Sequence, residues 1–289
     1  MTSYAVTGAT GALGGLAVSA LIDRGVAPAD IHAVVRDPDK AAALRDLGVD
    51  VRVADYSDPA ALRAALTGVD RLLLVSGSEI GSRVPQHRNV IEAAAETGVT
   101  LVAYTSVVRA DTSPLTLAQE HAATEKILVE SGVGYVLLRN GWYWENYLQS
   151  APAAIESGVL YGAAGTGTVG GAARADFAGA AAAALVDAAG AEIYELTGDE
   201  HLTYPEIAAA LAQVSGRPVA YQDLPEADYA AGLEQAGIPA QFAAILADSD
   251  AGVARGDLDS DSTALHDLLG RPTTPLVDVL RAGLVSATA

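Results

Sequence analysis

The chain has 289 residues, 51% of them apolar, and its 36 acidic against 17 basic residues give a formal charge of −19. That length suffices for one large domain, or for a main domain with a smaller appendage. The charge repels nucleic acid and anionic membrane, and the acids are scattered like a solubilising surface rather than blocked like a binding tail. Without cysteine there is no disulfide, thiolate metal site or cysteine nucleophile. No run matches a membrane span; even Ala178 to Ala189 is short and contains Asp187. No basic leader precedes the first apolar run, so the expectation is a soluble, cytoplasmic protein.

Tyr4-Ala5-Val6 predicts a first strand, followed by Gly8, Gly11 and Gly14 and a helical run from Leu16 to Arg24. A strand that turns through glycines into a helix aims free backbone N–H groups and the positive helix end at one point. That is an anion site, and a diphosphate needs glycine there because a Cβ blocks close approach. Three glycines alone also suit any tight turn; the alternation that follows supplies the context the motif requires. Strands are predicted at Ile31 to Val35, Val49 to Val53, Arg71 to Ser76, Leu101 to Ser106 and Tyr135 to Leu138. Helices are predicted at Asp39 to Leu47, Pro59 to Leu66, Val84 to Thr97 and Leu117 to Ser131. The near-continuous apolar strands argue an α/β fold, a Rossmann-like doubly wound parallel sheet.

After Asn140 the rhythm changes. Trp142 to Tyr161 gathers aromatic side chains, and Gly162 to Gly171 reads as a loop. An alanine-rich helix from Asp176 and a strand at Ile193 to Leu196 follow. Helices are then expected at Tyr204 to Ser215, Glu226 to Ala236, Ala240 to Asp248, Thr263 to Leu269 and Leu276 to Leu284. The expected organisation is a nucleotide-binding domain over residues 1–140 and a smaller, mostly helical substrate lobe over 141–289 covering the sheet's C-terminal edge. Within it, residues about 172–197 return to the sheet. No linker separates the two.

Ligands of doubly wound sheets sit beyond the C-terminal strand ends at the order reversal. About 20 residues past the glycine turn, where an acid would hold the ribose 2′-OH of NAD, stand Arg36 and, a turn on, Lys40. Arginine there accommodates a 2′-phosphate, so NADP is favoured over NAD; pairing of Arg36 with Asp37 or Asp39 is the competing use. Asp55 ends the third strand, where an adenine would lie, although Asp-Tyr-Ser-Asp-Pro is also turn chemistry with Asp58 preparing a helix at Pro59. Ser76 and Gly77 end the fourth strand, small enough for a dinucleotide to cross, or an ordinary turn.

The motif Thr7-Gly8-Ala9-Thr10-Gly11-Ala12-Leu13-Gly14 resembles the glycine turn of atypical short-chain dehydrogenases. Val34 to Lys40 resembles the NADP-reading segment of their NmrA-like family. Pro85 to Ile91, Tyr104-Thr105-Ser106, Thr124-Glu125-Lys126, Leu138 to Tyr143 and Leu246 to Asp250 resemble the bacterial NAD(P)H:quinone oxidoreductases of that family, so the likeness spans nearly the whole chain. The resemblance implies NADPH in preference to NADH, held by Gly8, Thr10, Gly11, Ala12, Leu13, Arg36, Lys40, Asp55, Ser76, Gly77, Tyr104, Thr105 and Lys126. It implies hydride transfer to a quinone, with Ser106, Lys126, Asn140 and Tyr143 at the reacting centre. Asn140, Trp142, Tyr143, Asn146 and Arg174 would contact the substrate.

Ordinary short-chain dehydrogenases donate a proton from a tyrosine four residues before a lysine. Four before Lys126 stands Ala122, which has no proton to give. Reducing a ketone needs such an acid, typically worth about 10²–10⁴-fold; a quinone becomes an aromatic hydroquinone anion that water can protonate. His121 is a substitute acid or a surface histidine. Lys126 holds the nicotinamide ribose or is a solvated lysine paired with Glu125 or Glu130. Trp142 and Tyr143 form an aromatic wall or pack between lobes, and Asp176 reads as an N-cap of the alanine-rich helix. The rival readings are a non-catalytic NADP(H) sensor and a carbonyl or imine reductase. No metal is expected, since His87 and His121 have no ligand at suitable spacing, and the state is monomer or homodimer, with no nucleic-acid or membrane partner.

Overall fold

The computed structural model describes residues 1–286. In chain order its elements are β1 (Tyr4–Thr7), α1 (Ala12–Asp23), β2 (Ile31–Val35), α2 (Ala42–Asp46), β3 (Asp50–Val53), α3 (Pro59–Leu66), β4 (Arg71–Leu74), α4 (Arg83–Thr97), β5 (Leu101–Val107), α5 (Thr116–Glu130) and β6 (Gly134–Asn140). These are followed by α6 (Ala151–Ser157), β7 (Val159–Gly162), β8 (Thr168–Val169), α7 (Arg174–Asp187), β9 (Glu192–Leu196), β10 (Leu202–Thr203), α8 (Tyr204–Ser215), β11 (Ala220–Asp223), α9 (Glu226–Gln235), α10 (Ala240–Arg255), α11 (Ala264–Leu269) and α12 (Leu276–Ser286). Two compact units result. The first comprises Met1–Val107, Glu120–Asn140 and Arg174–Tyr194, and the second comprises Val108–Gln119, Gly141–Ala173 and the chain from Glu195 onward.

In the first unit a seven-stranded sheet has the order β3-β2-β1-β4-β5-β6-β9. Strands β1 to β6 all pair in parallel. The order reverses between β1 and β4, so the glycine turn leaving β1 lies at the switch point where such sheets bind ligands. Leu72, Leu73, Leu74, Val102, Ala103 and Tyr104 are wholly buried, which accounts for the unbroken apolar runs of β4 and β5. β3 lies at an edge, and its Val53 is exposed. Helix α7 packs on α1, β4, β5 and β6. Ala178 and Ala180 to Ala184 are all buried, so the alanine run is a close-packing face. Asp58 accepts from the Ala60 and Ala61 N–H groups ahead of Pro59, the expected start of α3.

The second unit is less purely helical than expected. β8 lies inside the stretch read as a loop and pairs antiparallel with β10, while β7 and β11 pair in parallel. A Cβ on Gly167 would fall 2.0 Å from the Val253 carbonyl oxygen, so glycine serves backbone contact here as well as looping. Helix α8 starts with a capping box in which Thr203 and Glu206 satisfy each other's backbone N–H.

At the ends of β5 and β6 a buried ion pair joins the sheet to α5. Arg139 donates through Nε to Glu125 Oε1 (3.0 Å) and through Nη2 to Oε2 (2.7 Å), and the Ser106 hydroxyl donates to Oε1 (2.6 Å). Both charged side chains are about 7% exposed. Removing one member strands the other charge, which costs about 3–5 kcal/mol, whereas replacing both with apolar groups is often neutral. Arg139→Met is therefore expected to lower the urea midpoint strongly, and Arg139→Met with Glu125→Leu to recover most of it; a single variant as stable as wild type would contradict this account.

Candidate functional site

The turn after β1 is built from backbone. Gly8 takes φ +59°, the Gly11 N–H donates to the Gly8 carbonyl (2.8 Å), and the Gly15 N–H donates to that of Gly11 (3.0 Å). A Cβ on Gly14 would stand 2.3 Å from the Gly8 oxygen, so any larger residue forces α1 away from β1. Gly11 caps α1 with no side-chain hydrogen bond, leaving the first-turn N–H groups of a 12-residue helix pointed outward. Thr10, Gly11 and Ala12 are exposed there. Leu13 is buried, so its side chain belongs to the core and only its backbone can meet a ligand.

The Ala9 N–H donates to Val34 O (3.3 Å), which ties the turn to the end of β2 and hence to Arg36. Arg36 is exposed and pairs with Glu79 (2.9 Å) and Asp55 (3.9 Å), not with Asp37 or Asp39. Asp37 instead caps the turn at Pro38 and lies 3.7 Å from Lys40. Asp55 accepts from the N–H and hydroxyl of Ser57, and those bonds hold its carboxyl below the usual range. It is thus both turn residue and neighbour of Arg36.

The loop after β4 is fixed by buried polar groups. The Ser76 N–H donates to Thr105 Oγ1 (2.8 Å), the Gly77 N–H to His87 Nε2 (2.9 Å), and Arg83 Nε to the Gly77 carbonyl (2.8 Å). His87 Nε2 accepts a backbone N–H, so Nδ1 carries the proton toward Thr124. Burial, and then Arg83, push the His87 pKa down to about 3, so it stays neutral.

Several expected roles need correction here. Tyr104 and Thr105 are in the interior; Tyr104 shares its hydroxyl with His121 Nδ1 (2.7 Å), and Thr105 accepts from Ser76, so neither side chain is available to a cofactor. His121 is not at the surface: burial, Arg83 and His87 hold its pKa well below normal, and it is no imidazolium donor. Ser106 is committed to Glu125. Lys126, one position on, is exposed and 3.8 Å from Glu130, because the register of α5 turns Glu125 inward and Lys126 outward. Asp176 is the third residue of α7 and wholly buried, in the first turn rather than at the cap. Arg174 opens that helix half-buried, and Asn140 closes β6 buried.

The second unit holds a cavity of about 700 Å³, a size that suits a small molecule. Trp142 and Asn146, both expected at the substrate, line it together with Tyr147, Tyr161, Tyr229 and Asp250. Tyr143 precedes the short turn Trp144–Leu148 and bridges to Ala172, which holds this aromatic segment in place. The Tyr204 hydroxyl donates to Asp250 Oδ1 (2.5 Å), and the Ala163 N–H donates to Oδ2 (3.1 Å). Sequence reasoning placed Tyr147 in the aromatic stretch Trp142 to Tyr161 but missed Asp250, Tyr204, Tyr221 and Tyr229 as its neighbours. These are remote from Tyr147 in the chain, and their only signal was the family-like stretch Leu246 to Asp250.

No described helix is long and apolar enough to cross a membrane. Residues 8–188 match the family model for NAD(P)H-binding proteins. The chain is 54% identical over 275 residues to quinone oxidoreductase 2 of Escherichia coli strain K12, covering 95% of this chain and 96% of that one. It is 29% identical over 304 residues to an NmrA-like family domain-containing oxidoreductase of Aspergillus flavus, covering 98% and 95%. The crystal structure of the Escherichia coli NADPH-dependent quinone oxidoreductase complexed with NADPH superposes with a TM-score of 0.94 at 52% identity, covering 96% of this chain and 99% of that one. The Rossmann-like architecture and the glycine turn agree with these likenesses, and the chain belongs to the NAD(P)H-binding family, in its NmrA-like branch.

Proposed function

We propose that the protein is an NADPH-dependent oxidoreductase that passes hydride to a quinone. The observation that carries this reading is the bare-backbone turn of Gly8, Gly11 and Gly14 with Arg36 beside it, on a chain 54% identical to a quinone oxidoreductase. The turn suits a dinucleotide: with no Cβ at Gly14, α1 starts close to the Gly8 backbone, and its first N–H groups, capped by no side chain, would receive the diphosphate. Arg36 would exchange Glu79 and Asp55 for a 2′-phosphate, with Lys40 adding charge nearby. Ser76 and Gly77, held by Thr105 and His87, keep a small, rigid strand end for the cofactor to cross. The bound cofactor supplies the hydride.

Trp142 and Asn146, which line the cavity of the second unit, would hold a flat quinone by ring stacking and an amide donor. Ala122 stands in place of a donor tyrosine, and His121 is buried and neutral. The acceptor should therefore be one whose reduced anion takes its proton from water, as a hydroquinone anion does. The same reading puts the protein in the cytoplasm, where NADPH is regenerated.

Mixing the protein with NADPH and a benzoquinone should give enzyme-dependent loss of absorbance at 340 nm; cofactor binding without turnover on any quinone would favour a sensor instead. Arg36→Ala should raise the KM for NADPH about tenfold, the worth of one charge-assisted contact, and leave NADH within about twofold. Equal losses for both cofactors would remove Arg36 as phosphate reader. Gly14→Ala should weaken NADPH and NADH alike, because it deforms the shared turn.

A further inference from the structure

The cavity of the second unit combines aliphatic and neutral polar lining with four aromatic side chains, Trp142, Tyr147, Tyr161 and Tyr229, and Asp250 is the single carboxylic acid among its lining residues. Among the described residues, no lysine, arginine or histidine lines the cavity. Asp250 is 5% exposed, and its hydrogen bonds come from two neutral donors, the Tyr204 hydroxyl and the Ala163 N–H. A buried carboxylate ordinarily sits beside a cation. Here the groups around it are Tyr147, Tyr204, Tyr221 and Tyr229, with Asp223 adding a like charge. On its own helix, Asp248 faces Thr116 and Arg255 instead. Tyr147 carries a buried hydroxyl with no hydrogen-bond partner among the described residues.

From the Asp250 carboxyl, which no cation among the described residues faces, in a cavity that four aromatic rings help to line, we infer that this site binds planar aromatic cations in preference to neutral aromatics of the same size. The two parts of the site act on the two parts of such a ligand. Rings attract a delocalised cation through their quadrupoles, by about 0.5–2 kcal/mol per well-placed ring. The carboxylate supplies the counter-charge that the protein leaves out. A neutral quinone gains only the stacking, so the inference adds a ligand class to the cavity read above as the substrate site. It depends on the cavity and not on hydride transfer.

Protonation of Asp250 makes the preference switchable. Burial first, and Asp223 with it, raise the carboxyl to about 6 against the bonds from Tyr204 and Ala163. Below that pH the group is neutral and offers no counter-charge; above it the ionised form holds a cation, and a bound cation favours ionisation in turn. Cation affinity therefore rises as pH rises through about 6, while the affinity of a neutral ligand stays level.

The test is a fluorescence titration of the whole protein, without NADPH, using N-methylacridinium and its neutral analogue N-methylacridone. At about pH 8 the cation should bind about tenfold tighter, and the preference should shrink toward about pH 5 as Asp250 takes up its proton. Asp250→Asn should erase the preference and its pH dependence while keeping the neutral probe within about twofold, which also reports that the variant is folded. Gly232→Lys provides a second route. Gly232 lines the cavity on an exposed helix where a Cβ meets nothing within 4 Å, and lysine there should weaken the cation selectively. Equal binding of the two probes by the wild type overturns the inference. So does a cation preference that survives both substitutions, since it then comes from the net charge of −19 alone. Because no reductant is present, either result leaves the NADPH and quinone reading to its own assay.

Discussion

Gly14 sets its bare Cα against the Gly8 carbonyl, at a distance where even one methyl group would stand 2.3 Å from the oxygen. That contact determines how closely α1 starts above the end of β1. With α1 lowered, its first-turn N–H groups converge beside the sheet's order reversal, and its far side is free to take α7. The alanines of α7 answer the same demand, since a helix that must lie close to α1 and to β4, β5 and β6 has little room for long side chains. One close approach thus couples the anion site to the packing of the helical layer behind it.

Charge around the cofactor end is handled by exchange rather than by excess. In a chain of −19, the guanidinium at the end of β2 is already engaged by Glu79 and Asp55. A phosphate arriving at Arg36 would have to replace those carboxylates, so its gain would be the difference between two ion pairs near solvent, where each is modest. Under the proposed role of Arg36, selectivity for NADP over NAD would rest on that difference, with an acid left nearby that suits the unphosphorylated ribose. Arg36 alone reads as an NADP residue; Arg36 with Glu79 reads as a graded one.

The sheet and its helices were legible because their causes are local. The runs Leu72 to Leu74 of β4 and Leu101 to Ala103 of β5 are buried and apolar without a break, and Asp58 with Pro59 marks the first turn of α3. Helix α1 begins at Ala12, earlier than its helical run suggested, because Gly14 and Gly15 are poor helix formers kept for contact rather than propensity. What stayed hidden depends on partners remote in sequence. β7 meets β11 across 61 residues, Val159 opposite Ala220, and two-residue strands such as β8 and β10 carry no period to detect. The site followed the same division. The glycine turn and Arg36 could be read, but whether Glu125 or Lys126 faces Ser106 depends on a helix register one residue wide. Asp250 joins its tyrosines only through the fold.

Polar side chains near the ends of β5 and β6 make one more constraint visible. Ser106 is bound to Glu125, Tyr104 to His121, Thr105 to Ser76, and the imidazoles of His87 and His121 are kept neutral by burial. These groups make the strand ends rigid, and for that reason they cannot also shuttle protons: a donor that gives up its hydrogen here leaves a buried acceptor or charge without compensation, at about 1–3 kcal/mol or more. A site stiffened by its own hydroxyls and imidazoles favours reactions that need hydride and ask no acid of the protein. That is the same restriction Ala122 imposes from the sequence side, reached from the hydrogen bonds instead of from a missing tyrosine.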